Sequence, residues 1–345
     1  MKISYLDTFC VEHSGRGWLK AFQQYGEVQT HEVGGLHPDG CTCAVTSVRH
    51  VIEAIVKYQP DHIHFGGSTQ SEKTFTFRHI KELKKRTGAV VTFFYGDGYY
   101  RPYFLKLAKM VDKVFVTNRN LCRRDNILYT LCPAPKSMAI DYKVKPEKYG
   151  LVFIGNNYNS MRRKCIHAIN KLYPVTVFGK GWKKRKIDAR GPISYEEFPK
   201  ICQASKIVLG DPAGPICYFS DRRCGVGDPD KLHTPGYCRA YNCSKYTELE
   251  GYISNRVTNI LMSGGVCLTP YVKGLEKVVV DSMHLWWYHD WEQFERLIKH
   301  IMTTDTSNVR EAGRALMLEN YTFEALVERI LYEDSTDSTT QETHH

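Results

Sequence analysis

Short apolar runs alternate with amphipathic stretches along the first half of the chain. Runs at 2–9, 62–65, 89–95 and 113–117 are rich in β-branched and aromatic residues, and each is followed by a polar or glycine-containing segment. Between the runs, apolar residues recur every three or four positions, as in the basic helix predicted over 77–86. Strands that alternate with helices at these spacings predict an α/β fold, with a mostly parallel sheet covered on both faces.

The same alternation restarts after an irregular connection with three prolines, 132–148. A chain of 345 residues exceeds one ordinary core. We therefore predict an N-terminal domain over 1–145 and a C-terminal domain over 146–332, the latter with an insertion at about 212–252. The Asp/Ser/Thr-rich tail, 333–345, is predicted to be disordered.

Three strands of the second half end in small polar loops. Strand 151–154 runs into Gly155-Asn156-Asn157, strand 175–178 into Gly179-Lys180-Gly181-Trp182, and strand 206–209 into Gly210-Asp211. The carboxyl ends of parallel strands lie at one edge of a sheet, and open α/β sheets bind their ligands there. Three such loops on one edge predict a nucleotide-type ligand for the C-terminal domain.

The segment 252–270 predicts a short helix followed by a buried strand. Ser254 fits the N-cap position, and Gly264 and Gly265 end the helix, since glycine enters the left-handed cap without steric cost. Arg256 falls in the first helical turn, where a cation opposes the helix dipole unless an anion also sits there. Two interpretations of Arg256 follow, a solvated side chain or an anion-binding one.

Positive charge is concentrated in the first half of the chain. The net charge is +10; residues 1–145 hold 21 Lys and Arg against 13 Asp and Glu, an excess of 8, and residues 146–345 hold 26 against 24, an excess of 2. This distribution predicts either a surface for a polyanion or a solvated basic face on the N-terminal domain.

The sequence shows no signal for export or membrane insertion. No apolar run approaches the roughly 18 residues of a membrane span, and residues 1–10 lack the basic start and apolar stretch of a signal peptide. Twelve cysteines are scattered along the chain and are expected to be reduced thiols. We expect a cytoplasmic monomer without a membrane span.

The second half resembles a known enzyme family. The runs VFIGNN, VTVFGKGW and YISNRVTNILMSGGVCLTP, in this order within about 150–330, are similar to the donor-binding domain of GT-B glycosyltransferases, specifically the group related to the spore-maturation CgeB type. The first half agrees only at fold level. The resemblance implies two facing Rossmann-like domains with parallel sheets and an interdomain cleft. A nucleotide-sugar binds the C-terminal domain, the acceptor lies against the N-terminal one, and the last helix commonly returns to the first domain.

The resemblance also implies roles for individual residues. Arg256 would offset the diphosphate charge that develops on the leaving group, and Gly264 and Gly265 would lie near that diphosphate or near the packed sheet behind it. Glu276 would hold a sugar or ribose hydroxyl. The full set of implied donor contacts is Gly155, Asn156, Asn157, Gly179, Lys180, Gly181, Trp182, Asp211, Asn255, Arg256, Asn259, Gly264, Gly265 and Glu276.

The chain departs from many retaining relatives at two positions. Asn259 stands where these relatives have a glutamate that contacts the ribose, and Gly251 replaces the partner glutamate. Whether the reaction inverts or retains the anomeric configuration therefore stays open. No DxD-type carboxylate pair is placed for a metal–diphosphate site, so we predict a metal-independent reaction with a UDP-sugar as co-substrate.

An inverting reaction requires a base that deprotonates the acceptor hydroxyl. Asp97, which follows a strand, and His13, in the first loop, are the candidates. The predicted acceptor-side residues are Ser14, Gly15, Arg16, Gly17, Tyr99, Tyr100, Arg101 and Arg119.

Four cysteines lie within the predicted insertion. Cys217, Cys224, Cys238 and Cys243 are weakly compatible with a structural zinc ion, which would replace the core that such a loop lacks. Their spacing is not that of ordinary zinc fingers, which favours separate reduced thiols and no bound metal.

Three functions fit these patterns. The first is a glycosyltransferase that modifies a hydroxymethylated base in DNA, similar to bacteriophage enzymes that act in the host cytoplasm; such an enzyme needs phosphate contacts and an accessible base. The second is a glycosyltransferase that acts on a surface polysaccharide, lipid or protein. The third is a non-catalytic module that binds a nucleotide or another polyanion.

Overall fold

A computed structural model describes residues 1–7, 14–32, 47–66, 75–96, 106–141, 148–157, 160–182, 187–210 and 252–333. The predicted insertion (apart from its last residue), the predicted tail after Glu333, Asp97 and His13 lie outside these described residues. The chain divides into two compact units, one formed by residues 1–130 together with the segment that starts at Phe323, and one formed by residues 131–322.

The first unit is built on a six-stranded parallel sheet of order β2-β1-β3-β4-β5-β6. Its strands are β1 (Lys2–Asp7), β2 (Glu27–Glu32), β3 (His62–Phe65), β4 (Val90–Tyr95), β5 (Lys113–Val116) and β6 (Ile127–Tyr129). The helices α1 (Ser14–Phe22), α2 (Val48–Tyr58) and α3 (Phe77–Thr87) lie between successive strands from β1 to β4. The chain continues on opposite sides of β1 toward β2 and β3, so the topological switch point of this sheet lies between β1 and β3.

The second unit is built on another six-stranded parallel sheet, of order β12-β11-β10-β7-β8-β9. Its strands are β7 (Tyr149–Ile154), β8 (Val175–Phe178), β9 (Asp188–Gly191), β10 (Ser205–Leu209), β11 (Cys267–Pro270) and β12 (Trp286–Tyr288). Its helices are α4 (Ser160–Leu172), α5 (Glu197–Gln203), α6 (Asn255–Met262), α7 (Trp291–Thr303) and α8 (Ser307–Asn320). Counted from β7, the strand order is that of the Rossmann fold.

Apolar side chains from both faces of each sheet form the cores. In the first unit, Phe65 and Phe93 pack with residues of α2 and α3, and His64 packs on the other face against Trp18 and Phe22 of α1. In the second unit, the core includes Phe153 of β7 and Phe294 of α7, both fully buried. The predicted α/β fold with parallel sheets is confirmed.

The final helix, α9 (Phe323–Tyr332), belongs to the first unit. The Phe323 ring lies edge-on to Trp18 at 5.3 Å between ring centroids and covers the backbone of Gly17, and the guanidinium of Arg329 lies 6.0 Å from the Phe115 ring. The compact unit boundaries at 130/131 and 322/323 differ from the predicted domain bounds of 1–145 and 146–332. The contacts of α9 with α1 and β5 account for the second of these boundaries.

Candidate functional site

The switch point of the second sheet lies between β7 and β10. These strands are hydrogen-bonded neighbours, and the chain leaves β7 toward β8 on one side and later fills β10, β11 and β12 on the other. Crossover helices diverge at such a point and open a crevice beyond the carboxyl ends of the two strands. The residues that follow Ile154 and Leu209 therefore border the position where a ligand is expected.

Arg256 occupies this position. Ser254 is the N-cap of α6, and its hydroxyl accepts a hydrogen bond from the Arg256 backbone N–H at 3.3 Å. The Arg256 side chain donates from Nε to the Ile154 carbonyl at 2.7 Å and from Nη1 to the Gly210 carbonyl at 2.9 Å. One guanidinium thus joins the ends of the two strands that flank the switch point.

The Arg256 guanidinium also contacts the Phe153 ring and lies close to Gly155. It lies 4.9 Å from the centroid of the Phe153 ring, a cation–π contact with a buried aromatic group. A Cβ at Gly155 would come within 2.9 Å of both Arg256 Nη2 and Phe153 Cζ, so glycine allows the close approach. The two carbonyl contacts hold the side chain but leave its formal charge in place, which suits an anionic ligand.

Arg162 supplies a second guanidinium beside the same ring. It lies in the first turn of α4, is 5% exposed, donates from Nη1 to the Asn156 carbonyl at 2.9 Å, and lies 5.8 Å from the Phe153 centroid. The sequence prediction did not include Arg162 among the site residues. The signal was present, because a cation in the first turn of α4 opposes the helix dipole just as Arg256 does in α6.

The first two predicted loops form one connected surface. The Asn156 side-chain oxygen accepts from the Lys180 N–H at 2.7 Å, Asn157 bonds the Lys180 and Gly181 carbonyls at 2.9 and 3.0 Å, and Trp182 Nε1 donates to the Gly155 carbonyl at 2.8 Å. Gly179 has a positive φ of 148°, and a Cβ there would collide with the Gly155 carbonyl. These four hydrogen bonds must break if either loop moves alone.

Other predicted donor residues lie along the same α6 helix and on the next strand. Asn255 is exposed at the N-terminus of α6, and Asn259 lies one turn further, half-buried. Glu276 follows β11 at the carboxyl edge; it accepts from the Tyr271 hydroxyl at 2.9 Å and from the Gly274 N–H at 3.0 Å. These contacts hold the carboxylate of Glu276 while its side chain stays exposed.

Gly264 and Gly265 lie at the opposite end of α6 from Arg256. Gly264 has a φ of 68° and its carbonyl accepts from the buried Arg310 at 3.1 Å. A Cβ at Gly265 would lie 2.9 Å from Ile260 Cγ2 and 3.0 Å from Cys202 Cβ. Both glycines therefore serve the packing behind the sheet, which is the second of the two roles that the resemblance implied, and the structure does not bring them to the switch point.

The acceptor-side predictions are only partly within the described chain. Arg16 is exposed on α1, Gly17 lies against the Phe323 ring, and Arg119 is half-buried just beyond β5. Ser14 and Gly15 belong to the first turn of α1. Asp211, Tyr99, Tyr100 and Arg101 lie outside the described residues, as do Asp97 and His13.

A buried carboxylate that the sequence prediction missed lies at the switch point of the first sheet. Asp7 ends β1, is 3% exposed, and accepts a hydrogen bond from the Tyr5 hydroxyl. A Cβ at Gly66, just after β3, would collide with the Asp7 carboxylate. Burial and then Asp7 raise the pKa of Tyr5 well above its ordinary value, so Tyr5 remains a protonated donor. The available signal was an acid at the end of an otherwise largely apolar strand.

The described part of the chain contains no group of three or more His, Cys, Asp or Glu side chains arranged to hold a metal ion. Cys217, Cys224, Cys238 and Cys243, the weak zinc candidates, lie outside it. Within the same ranges, no helix combines the length and apolar character that a bilayer crossing requires.

Comparison with known proteins agrees with this geometry. Residues 162–332, which run from Arg162 through the whole of α6 to the end of α9, match the family model described as glycosyl transferase-like. This segment is a glycosyl transferase-like domain. Among curated protein sequences, no match to this chain is found.

Solved structures support the GT-B fold over the full length of the chain. A glycosyltransferase from Rickettsia africae is 12% identical with a TM-score of 0.63, covering 100% of this chain and 99% of its own. Sucrose-phosphate synthase from Thermosynechococcus elongatus is 12% identical with a TM-score of 0.60, covering 96% and 98%. HepE from Anabaena, solved with UDP and glucose, is 8% identical with a TM-score of 0.57, covering 97% and 100%.

Proposed function

We propose that this glycosyltransferase moves a sugar from a UDP-sugar to a hydroxyl group on a hydroxymethylated base in DNA. The observation that carries the donor half is the position of Arg256 at the β7/β10 switch point, with Arg162 beside the same Phe153 ring. Two guanidiniums at the ligand edge of a Rossmann sheet suit a ligand with two adjacent phosphates.

The chemistry follows from the charge that moves during transfer. The acceptor oxygen forms a bond to the anomeric carbon while the bond from that carbon to the diphosphate breaks, and the electron pair leaves with the diphosphate. Arg256 and Arg162 oppose that growing negative charge without reorganising, because carbonyl bonds and the Phe153 ring already hold both side chains. These guanidiniums supply positive charge on their own, so we propose that no metal ion is required.

The donor is proposed to be a uridine nucleotide. Support comes from HepE, whose structures were solved with UDP and with UDP-glucose. The connected loops formed by 155–157 and 179–182 border the same edge, and we assign them to the nucleotide. The exposed Asn255 and the half-buried Asn259 project from α6 and are assigned to sugar or ribose hydroxyls together with Glu276.

If the reaction inverts the anomeric configuration, a side chain must take the proton of the acceptor hydroxyl. Asp97 and His13 remain candidates from the sequence, and Asp7 joins them as a buried carboxylate at the β1/β3 switch point. An inverting reaction would use one of these groups to take the hydroxyl proton as the new bond forms.

The DNA acceptor rests on charge. Residues 1–145 carry the excess of 8 positive charges, and the enzymes that modify DNA bases need phosphate contacts to hold the strand. Assignment to the CgeB-like group, a bacteriophage origin, a cytoplasmic location and a monomeric state belong to the same proposal. A polysaccharide, lipid or protein acceptor is the alternative.

The proposal is tested by incubating the purified protein with a panel of nucleotide-sugars and hydroxymethylated DNA, followed by nucleoside mass analysis. A hexose or pentose mass added to the modified nucleoside, and absent with unmodified DNA, is expected. Donor hydrolysis without any DNA product would reject the DNA acceptor and favour the alternative class.

Arg256 provides the variant for the donor half. Arg256→Ala should lower transfer by about 100- to 1,000-fold, the usual loss when one preorganised donor to a developing anion is removed. Arg256→Lys keeps the positive charge but loses the paired carbonyl contacts. Its transfer rate should lie between those of the wild-type protein and of Arg256→Ala. Unfolding midpoints are measured in parallel, and a folded Arg256→Ala with near-normal turnover would remove Arg256 from the proposed role.

A further inference from the structure

Three exposed cations form a straight stripe along α3. Arg78, Lys81 and Lys85 are spaced at i, i+3 and i+7, which places them within one face of the helix, and all three are exposed. The opposite face carries the buried Ile80 and Leu83, which pack into the core of the first unit. We call Arg78, Lys81 and Lys85 the α3 basic stripe.

The acidic residues of the neighbouring helix surface are already paired elsewhere. Glu53 and Glu82, the acids of α2 and α3, bind Arg49 and Arg86 at N–O distances of 2.7 to 2.9 Å. Lys84 pairs with Asp112 at 2.7 Å. Within the described residues, no salt bridge engages the α3 basic stripe, so its three charges are not offset by direct ion pairs.

The stripe begins where a cation is unfavourable for the helix. Thr76 and His79 form the capping box of α3, and Arg78 lies in the first turn with no acidic residue there. A positive charge at a helix N-terminus opposes the macrodipole. A bound anion near that end would relieve this cost.

The direction of α3 places one end of the α3 basic stripe near the carboxyl edge of the first sheet. α3 follows β3 and precedes β4, two adjacent parallel strands, so it runs antiparallel to them. Its N-terminal end, with Arg78, therefore lies toward the carboxyl edge of the first sheet, and Lys85 lies toward the other edge. The stripe leads away from the ligand edge along the outside of the unit.

We infer that the α3 basic stripe binds the phosphodiester backbone of the DNA strand that carries the acceptor base; this rests on the proposed function. Seven residues of helix span about 10 Å at 1.5 Å per residue. A duplex strand presents one phosphate per about 3.4 Å of axis, so this length matches about three phosphates. The contacts are independent of base sequence and position the strand while its reactive base reaches the edge of the sheet.

The inference is tested by the salt dependence of DNA affinity, measured by fluorescence anisotropy with a labelled duplex. Removing three phosphate contacts should reduce the slope of log K against log salt by about 2.7, at about 0.9 for each contact. The variant is Arg78→Gln with Lys81→Gln and Lys85→Gln. Donor hydrolysis should be unchanged, because none of these residues belongs to the donor site.

Two control variants distinguish an effect of the α3 basic stripe from an effect of the protein's overall positive charge. Lys171→Gln with Arg296→Gln and Lys299→Gln removes the same charge from exposed helix positions of the second unit and should leave the slope unchanged. Arg78→Lys with Lys81→Arg and Lys85→Arg should restore the wild-type slope.

The outcomes distinguish the stripe from the function on which it rests. A wild-type slope in the Gln variant, with DNA still glycosylated by the wild-type enzyme, would overturn the stripe alone. Equal losses in the stripe variant and the second-unit variant would also overturn it. A wild-type protein that hydrolyses donor but neither binds nor modifies DNA would reject the DNA acceptor and the stripe together.

Discussion

At the scale of single residues, the site depends on how closely backbone and guanidinium approach. Arg256 was identified from sequence because its charge opposes the dipole of α6, a local signal. Arg162 and Asp7 each carried a local signal, a cation in the first turn of α4 and an acid at the end of a largely apolar strand. Their place in a site, however, depends on tertiary neighbours, the Phe153 ring and the Tyr5 hydroxyl. For Gly264 and Gly265 the resemblance implied two alternative places, near the diphosphate or near the packed sheet behind it, and only the neighbours of Gly265, Ile260 and Cys202, distinguish them.

Gly155 offers a direct test of the close approach. Gly155→Ala places a methyl group 2.9 Å from Arg256 Nη2 and from Phe153 Cζ, so the guanidinium must shift. We expect at least a tenfold loss of UDP affinity by calorimetry, because a charge-assisted hydrogen bond from the guanidinium to a phosphate depends on its position. Gly150→Ala on the same strand is the control, since its Cβ meets only Met302 Cε at 3.6 Å. Equal affinity in both variants would contradict the geometry.

At the scale of elements, the sequence predicted the inner strands and missed the outer ones. β2 and β6 are the edges of the first sheet, and β9 and β12 are the edges of the second; none of the four was predicted. An edge strand buries fewer side chains and needs less apolar sequence, as the largely polar β2 (EVQTHE) and β9 (DARG) show. The loops that border the switch point of the second sheet were nevertheless predictable, because they follow inner strands.

Two inner strands of the first unit share a polar contact that makes the unit sensitive to acid. His62 and His64 of β3 both hydrogen-bond the Thr92 hydroxyl of β4 at 2.8 Å, and all three residues are buried. Burial lowers the pKa of His62 from 6.5 to about 4, and burial with the nearby His62 lowers the pKa of His64 well below its ordinary value.

The folded unit should therefore lose stability as the pH falls from about 6.5 toward 4, because the unfolded chain binds protons that the buried imidazoles reject. The expected slope is up to about 1.4 kcal/mol per pH unit for each imidazole. Urea unfolding across this range measures it. His62→Gln should reduce the slope of unfolding free energy against pH by the contribution of one imidazole. An unchanged slope would show that His62 titrates normally in the folded state.

At the scale of the whole molecule, the chain crosses between units twice, since α9 completes the first one. Residues 323–332 were included in the predicted C-terminal domain of 146–332, although the GT-B resemblance implied that the last helix commonly returns to the first domain. The decisive contacts, Phe323 on Gly17 and Trp18, join residues at opposite ends of the chain. Pairing of this kind leaves no pattern in a local window.

Removing that aromatic contact should loosen the first unit selectively. Phe323→Ala is expected to cost about 3–5 kcal/mol, the usual range for a buried Phe. Hydrogen exchange of peptides from α1 should become faster, with little change in β7 and β10. Phe294→Ala, which empties a buried position of the second unit, is the control and should produce the reverse pattern. Uniform acceleration of exchange after Phe323→Ala would indicate that the two units unfold together.

Because α9 belongs to the first unit, that unit cannot complete its folding until the end of the chain has been synthesised. Thr130 and Phe323 are separated by roughly 190 residues, which take about 10 to 40 seconds to synthesise at 5–20 residues per second. During that interval the nascent first unit lacks the Phe323 ring that contacts Trp18. The aromatic side chains of α1 therefore stay uncovered by α9 while the second unit is synthesised. The half made first is completed last.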